Sequence, residues 1–162
     1  INHSRQIYYA TLGGFDTHDN QMADSSHARL LARLSDGLSA FRDALTEVGA
    51  LNDVVTFTMS DFGRTLNSNG NGTDHAWGGV QLMMGGASTA GGPLRGRRVH
   101  GAYPLLELDG PQAVERGRMI PTTSTNQFGA TVARWLGVPD SDLPTVFPGL
   151  GNFDRPVLDF LG

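Results

Sequence analysis

Leu30, Leu34, Leu38, Phe41, Leu45 and Val48 recur at steps of four, four, three, four and three, and no other feature constrains this 162-residue chain as strongly. The spacing is one face of an amphipathic helix that begins near Ala23. Asp24 or Ser25 can cap its start, and Gly49 stands where a left-handed C-terminal cap is expected. The helix lies between two strand-like runs. Gln6 to Leu12 is rich in aromatic and β-branched residues and ends at Gly13-Gly14, and Val54 to Met59 (VVTFTM) is the second run. Strand, long helix, strand makes a right-handed crossover between parallel strands the default. The expected fold is therefore α/β, with a mostly parallel sheet and flanking helices, residues 1–162 forming a single unit without repeat or linker.

Downstream, Val80 to Met84 (VQLMM) reads as a short buried strand. It is reached by a loop with no helix, which suits an antiparallel neighbour. Weaker strand signals lie near Val99 to Leu106. Ser124 with Gln127 spells a capping box ahead of Phe128, Val132, Trp135 and Leu136, and Gly137 and Pro139 close that helix. The tail from Asp142 is irregular, with aromatics expected to pack on the body.

Composition removes whole classes of function. No apolar run approaches the ~18–20 residues of a membrane span. The net charge of −4 argues against a nucleic-acid partner. With no cysteine there is neither a thiolate metal site nor a cysteine nucleophile. All 12 basic residues are arginine, so P-loop and lysine Schiff-base chemistry are excluded. Asp61-Phe62-Gly63 spells a kinase magnesium triplet without the lysine or catalytic loop that must accompany it. The 22 glycines and eight prolines predict long, shaped loops. The chain begins at Ile1 and opens almost directly into a strand-like run, which reads as a fragment or a processed product.

Three of those loops carry chemistry. GGFDTHDNQ (13–21) follows the first strand-like run, SDFGRT (60–65) follows the second, and GTDHAWGG (72–79) precedes the third. In a parallel sheet the first two emerge at the carboxyl edge, where open α/β sheets bind ligands. An antiparallel third strand starts at the same edge. Asp16, His18, Asp61, Asp74 and His75 then converge. Carboxylates with imidazoles suit a divalent ion, zinc or manganese first. Arg64 offers a bidentate contact to a phosphate or sulfate oxygen. Each residue also has a plainer reading: Asp16 and Asp61 as turn or capping aspartates, His18 bonded to backbone, Asp74-His75 in a solvated turn, Arg64 as a structural group.

The strings GGFDTHDNQ, FTMSDFGRTLNSNGNGTDHAWGG and RGRMIPTTSTNQFGATVARWLGV resemble the domain-of-unknown-function-1501 family of exported bacterial proteins, which belongs with the alkaline phosphatase and sulfatase superfamily. The resemblance covers nearly the whole chain but only the C-terminal part of longer proteins. It implies an alkaline phosphatase-like fold, represented by its C-terminal part, and a periplasmic or secreted location. It also implies a metal-dependent hydrolase of phosphate or sulfate esters. By motif, Asp16 and His75 resemble ligands of a first metal, with His18 beside them, and Asp61 a ligand of a second. The ion would be zinc, manganese, calcium or magnesium, and Arg64 a contact to the oxyanion. His18 follows Asp16 by two residues where the superfamily has four. Phe62 stands where the superfamily places a second-metal histidine. These departures favour one ion or a degenerate site, and the alternative function is a non-catalytic binding or scaffold protein. The superfamily's nucleophile belongs to an N-terminal half that this chain does not contain. Pairing with that half, or self-association, is expected, the chain alone being inactive.

Overall fold

The computed structural model describes residues 5–162. The long helix is there: α1 spans Ser26–Glu47. Gly49, at φ +72°, turns the chain out of it, and the Ala50 amide donates back to the Leu45 carbonyl. A single 3-10 turn, Ala23–Ser25, precedes it, with Asp24 in the left-handed region at φ 48°. The apolar face is only partly covered. Leu45 is buried and Leu30, Leu34 and Leu38 are half-buried, but Phe41 and Val48 are 46% and 73% exposed.

The strands correct the sequence reading. Gln6 to Leu12 forms no strand, and Ile7, Tyr8 and Tyr9 are 83–90% exposed. A β-prone segment gains its stability from cross-strand neighbours and burial, and this one has neither among the described residues. Without it there is no crossover. Among the described residues all the strands that form pair antiparallel, in three two-stranded ribbons. β1 (Val55–Phe57) pairs with β4 (Met83–Gly85), β2 (Gly63–Ser68) with β3 (Thr73–Ala76), and β5 (Ala113–Val114) with β6 (Arg118–Met119). The expected mostly parallel, alkaline phosphatase-like α/β sheet is therefore not what this chain forms. The antiparallel arrangement of the VQLMM segment against the VVTFTM segment does follow the sequence reading, through Val55 opposite Gly85 and Phe57 opposite Met83. Residues 99–106 carry no strand.

The best-packed region is C-terminal. α2 (Thr125–Trp135) starts at the capping box read from the sequence, with the Ser124 hydroxyl accepting from the Asn126 amide and Gln127 Oε1 accepting from the Ser124 amide. On one side, Ala130, Leu143 and Leu150 form a cluster with Phe147, Val138 and Val157. Phe147 packs close over Gly129, where a Cβ would stand 2.6 Å from the ring and push it aside. On the other side, Leu94, Phe160 and Leu161 pack against Val55, Met83, Phe128 and Trp135. The tail, expected to be irregular, carries a short helix (Leu143–Val146) and a 3-10 turn (Pro148–Asn152), and polar groups stitch it to α2 as well. Thr131 Oγ1 accepts from the Leu158 amide, and Gln127 Nε2 donates to the Arg155 carbonyl. Among the described residues, no helix is long and apolar enough to cross a membrane.

Candidate metal centre

The site is built by a hairpin that docks on a loop. β2 and β3 hold Arg64 opposite His75 in register. Their connection turns tightly through asparagine and glycine. The Asn69 side-chain carbonyl accepts from the amides of Asn71 and Gly72. Gly72 then lies against the loop that carries Asp16 and His18, where a Cβ would sit 2.4 Å from the Thr17 carbonyl oxygen and 2.6 Å from that of His18. Only glycine permits that approach. The Gln21 amide donates to the Asn71 carbonyl, and Asn69 Nδ2 donates to the His18 carbonyl, sealing the contact.

On this platform Asp16, His18 and His75 come together, with one ligand atom of each within 4.8 Å of the others. His75 Nε2 lies 2.8 Å and His18 Nε2 3.1 Å from the same oxygen, Asp16 Oδ1. Donors around a tetrahedral zinc at ~2.0–2.2 Å sit roughly 3.3–3.6 Å apart. The two separations to Asp16 are shorter by a few tenths of an ångström, so the side chains would rotate apart to admit an ion. Two imidazoles and a carboxylate are a donor set that divalent ions accept. The three side chains are each about half exposed, leaving a coordination position open to solvent.

Neighbours hold the ligands in place. Arg64 Nη2 donates to Asp16 Oδ1 at 2.9 Å and to the Phe15 carbonyl at 2.6 Å, while Nη1 donates to the Thr73 carbonyl at 2.9 Å. Its side chain is 18% exposed. The guanidinium is thus committed to the loop and the hairpin rather than turned outward to an anion. Phe62 stacks flat on the His75 ring, 3.9 Å between centroids and 7° from parallel, and the Arg64 guanidinium lies 4.9 Å from the Phe62 centroid. Asp61, on the neighbouring exposed bend, does not join the group of three.

Asp74, which the sequence reading puts with the converging residues, stands beside the group of three rather than in it. Its carboxylate accepts from Asn69 at 3.1 Å, pairs with Arg116 through its other oxygen, and lies 3.4 Å from His18 Nδ1. Arg116 arrives from the β5–β6 turn. There Arg116 and Gly117 both take positive φ, and their carbonyls accept from the Asn67 and Leu66 amides of β2. Nothing local in the sequence pairs Arg116 with Asp74, 42 positions away.

The charges act on both aspartates. The hydrogen bond from His75 lowers the Asp16 carboxyl most, and Arg64 and the field of the imidazoles add to it against partial desolvation. The Asn69 hydrogen bond lowers Asp74 most, with Arg116 and His18 adding to it. A depressed folded value means the stability from these carboxyls is complete above their unfolded value of 3.8 and is lost as pH falls through the lower folded ones. Ion binding should also weaken on acidification, because coordination requires neutral imidazole. Calorimetric zinc affinity, followed downward from neutral pH, is expected to fall. A flat profile would mean that the histidines are not ligands.

A solvent-facing Asp–His–His group, carried on an antiparallel hairpin and an adjoining loop, defines a protein of candidate metal-binding class. The chain belongs to the family described as protein of unknown function (DUF1501), whose model matches residues 3–143. No curated protein and no solved structure matches it.

Proposed function

We propose that Asp16, His18 and His75 hold one divalent cation, zinc by its donor set, and that the site serves hydrolysis of a phosphate or sulfate ester. The observation that carries this reading is the approach of three ligand atoms to within 4.8 Å on half-exposed side chains. Three protein ligands with an open position are the catalytic pattern, whereas structural zinc is enclosed by four. Two imidazoles favour zinc over calcium or magnesium, which take oxygen donors. When bound, such an ion supplies Lewis acidity and a coordinated water of lowered pKa. The chain's own contribution is to position the ligands: Arg64 fixes the Asp16 carboxylate, and the Phe62 ring fixes the plane of His75.

The choice of a phosphate or sulfate ester, and an exported location, rest on the family resemblance of the Asp16 and His75 strings. No serine or threonine of this chain is assigned as nucleophile. That group would come from a further part of the same domain, these residues being its C-terminal portion. The uncovered Ile7–Tyr9 segment and the half-covered face of α1 suit such a partner surface, or a second copy. Elemental analysis before and after a chelator wash, with Zn²⁺ and Mn²⁺ calorimetry, tests the proposal. Near one zinc per chain is expected, with ester hydrolysis only in a protein that includes the further part. No zinc binding would overturn the metal reading and leave a non-catalytic binding or scaffold role. Zinc without hydrolysis in the longer protein would overturn the ester reading alone.

A further inference from the structure

We infer that Asp74 is a positioning carboxylate for His18: it selects the tautomer that leaves Nε2 free to bind the ion. The inference rests on the metal reading for its consequence, though not for its geometry. His18 presents its two ring nitrogens to two different carboxylates. Nε2 lies 3.1 Å from Asp16 Oδ1, and Nδ1 lies 3.4 Å from Asp74 Oδ1. A neutral imidazole carries one proton, and the carboxylate that accepts it decides which nitrogen keeps a lone pair. If the proton is on Nδ1 facing Asp74, Nε2 is a ligand aimed into the group that includes His75. If it is on Nε2, His18 can only donate to Asp16 and the site loses a ligand.

The two carboxylates are not equivalent. Asp16 Oδ1 already accepts from Arg64 and His75. Asp74 is held from three directions: Asn69 Nδ2 on Oδ1, Arg116 on Oδ2, and its own amide donating to Thr65 Oγ1. Thr65 is itself buried in β2. The Asp74 side chain is 28% exposed, half the exposure of Asp16. It is therefore the fixed carboxylate, placed on the outer nitrogen of a ligand histidine. Carboxylate–histidine–metal pairs work this way, orienting the ring and raising its basicity, and their loss typically costs 10–100-fold in metal affinity. Arg116 belongs to the same device. By binding the outer oxygen it keeps Oδ1 turned to Asn69 and His18.

The test uses metal-free protein first. Long-range ¹H–¹⁵N spectra of His18, at a pH where its ring is neutral, are expected to show the Nδ1–H tautomer in the wild type. In Asp74→Ala they should show a shift toward Nε2–H. Calorimetric zinc affinity should fall about 10–100-fold in that variant with stoichiometry unchanged. Asp74→Asn keeps an acceptor oxygen without the charge, so it should fall between wild type and Asp74→Ala in both readouts, and it also covers the case in which the alanine variant folds poorly. An Nε2–H tautomer in the wild type, or no change of tautomer on substitution, would overturn the inference. A stability loss with unchanged tautomer and affinity would also overturn it, leaving Asp74 as a strut between hairpin and turn. If the wild type binds no zinc, the metal reading fails by itself, and the tautomer still reports on Asp74.

Discussion

Asp16→Asn is expected to reduce zinc affinity more than any other single change at the site. Three side chains converge on one oxygen of Asp16, which receives His75 at 2.8 Å, Arg64 at 2.9 Å and His18 at 3.1 Å. That oxygen is the only anionic donor among the three ligands. Replacing it with an amide removes the charge that offsets the ion and leaves Arg64, only 18% exposed, without its carboxylate partner. The loss should exceed the ~10–100-fold typical of an outer partner. Zinc calorimetry on Asp16→Asn, with circular dichroism to confirm that the fold persists, reads this directly. A folded variant with wild-type affinity would place any ion elsewhere. Arg64→Lys is informative beside it, since a lysine ammonium has no planar fork with which to join Phe15, Asp16 and Thr73 at once.

The second large effect is on stability. Phe160, 2% exposed, is the centre of the cluster that joins the tail to α2 and to the β1–β4 ribbon. Its ring lies 5.4 Å from that of Phe128, which in turn meets Phe57 of β1 edge-on at 5.3 Å. Phe160→Ala should therefore cost about 3–5 kcal/mol, combining lost transfer energy with the cavity left behind. Urea denaturation should show a lower midpoint at an unchanged slope. Tyr9→Ala is the matched control. Tyr9 is 90% exposed, and its loss should stay within about 0.5 kcal/mol. An unchanged midpoint for Phe160→Ala would mean that the tail is not docked. A Tyr9 effect as large as that of Phe160 would put the Ile7–Tyr9 segment against a partner surface in solution.

Both predictions depend on contacts of different legibility. The site residues are readable as types: aspartate and histidine in glycine-rich loops are a metal vocabulary, and that reading reaches Asp16, His18, Asp61, Asp74 and His75 alike. The cause of the convergence is not the one the sequence suggests. They do not meet at the carboxyl edge of a parallel sheet, since none forms among the described residues. They meet because Gly72 lets a hairpin lie against Thr17 and His18, and because Arg64 ties that hairpin to Phe15 and Asp16. Asp61 shared the vocabulary without sharing the place.

What the amino-acid order determined by itself is what neighbouring residues can satisfy. The apolar period of α1, the left-handed Gly49 at its end and the Ser124–Gln127 capping box all close their hydrogen bonds within a turn or two of chain, so a local reading reaches them. Tertiary structure alone decided the rest. Gln6 to Leu12 has the composition of a strand, but strand pairing is supplied by another segment and cannot be read from one. Asp16 meets Arg64 across 48 positions and His75 across 59, and Asp74 meets Arg116 across 42. Pairs so far apart depend on which loops the hairpins bring together, and that follows from packing at glycines and a half-buried guanidinium rather than from any local spacing.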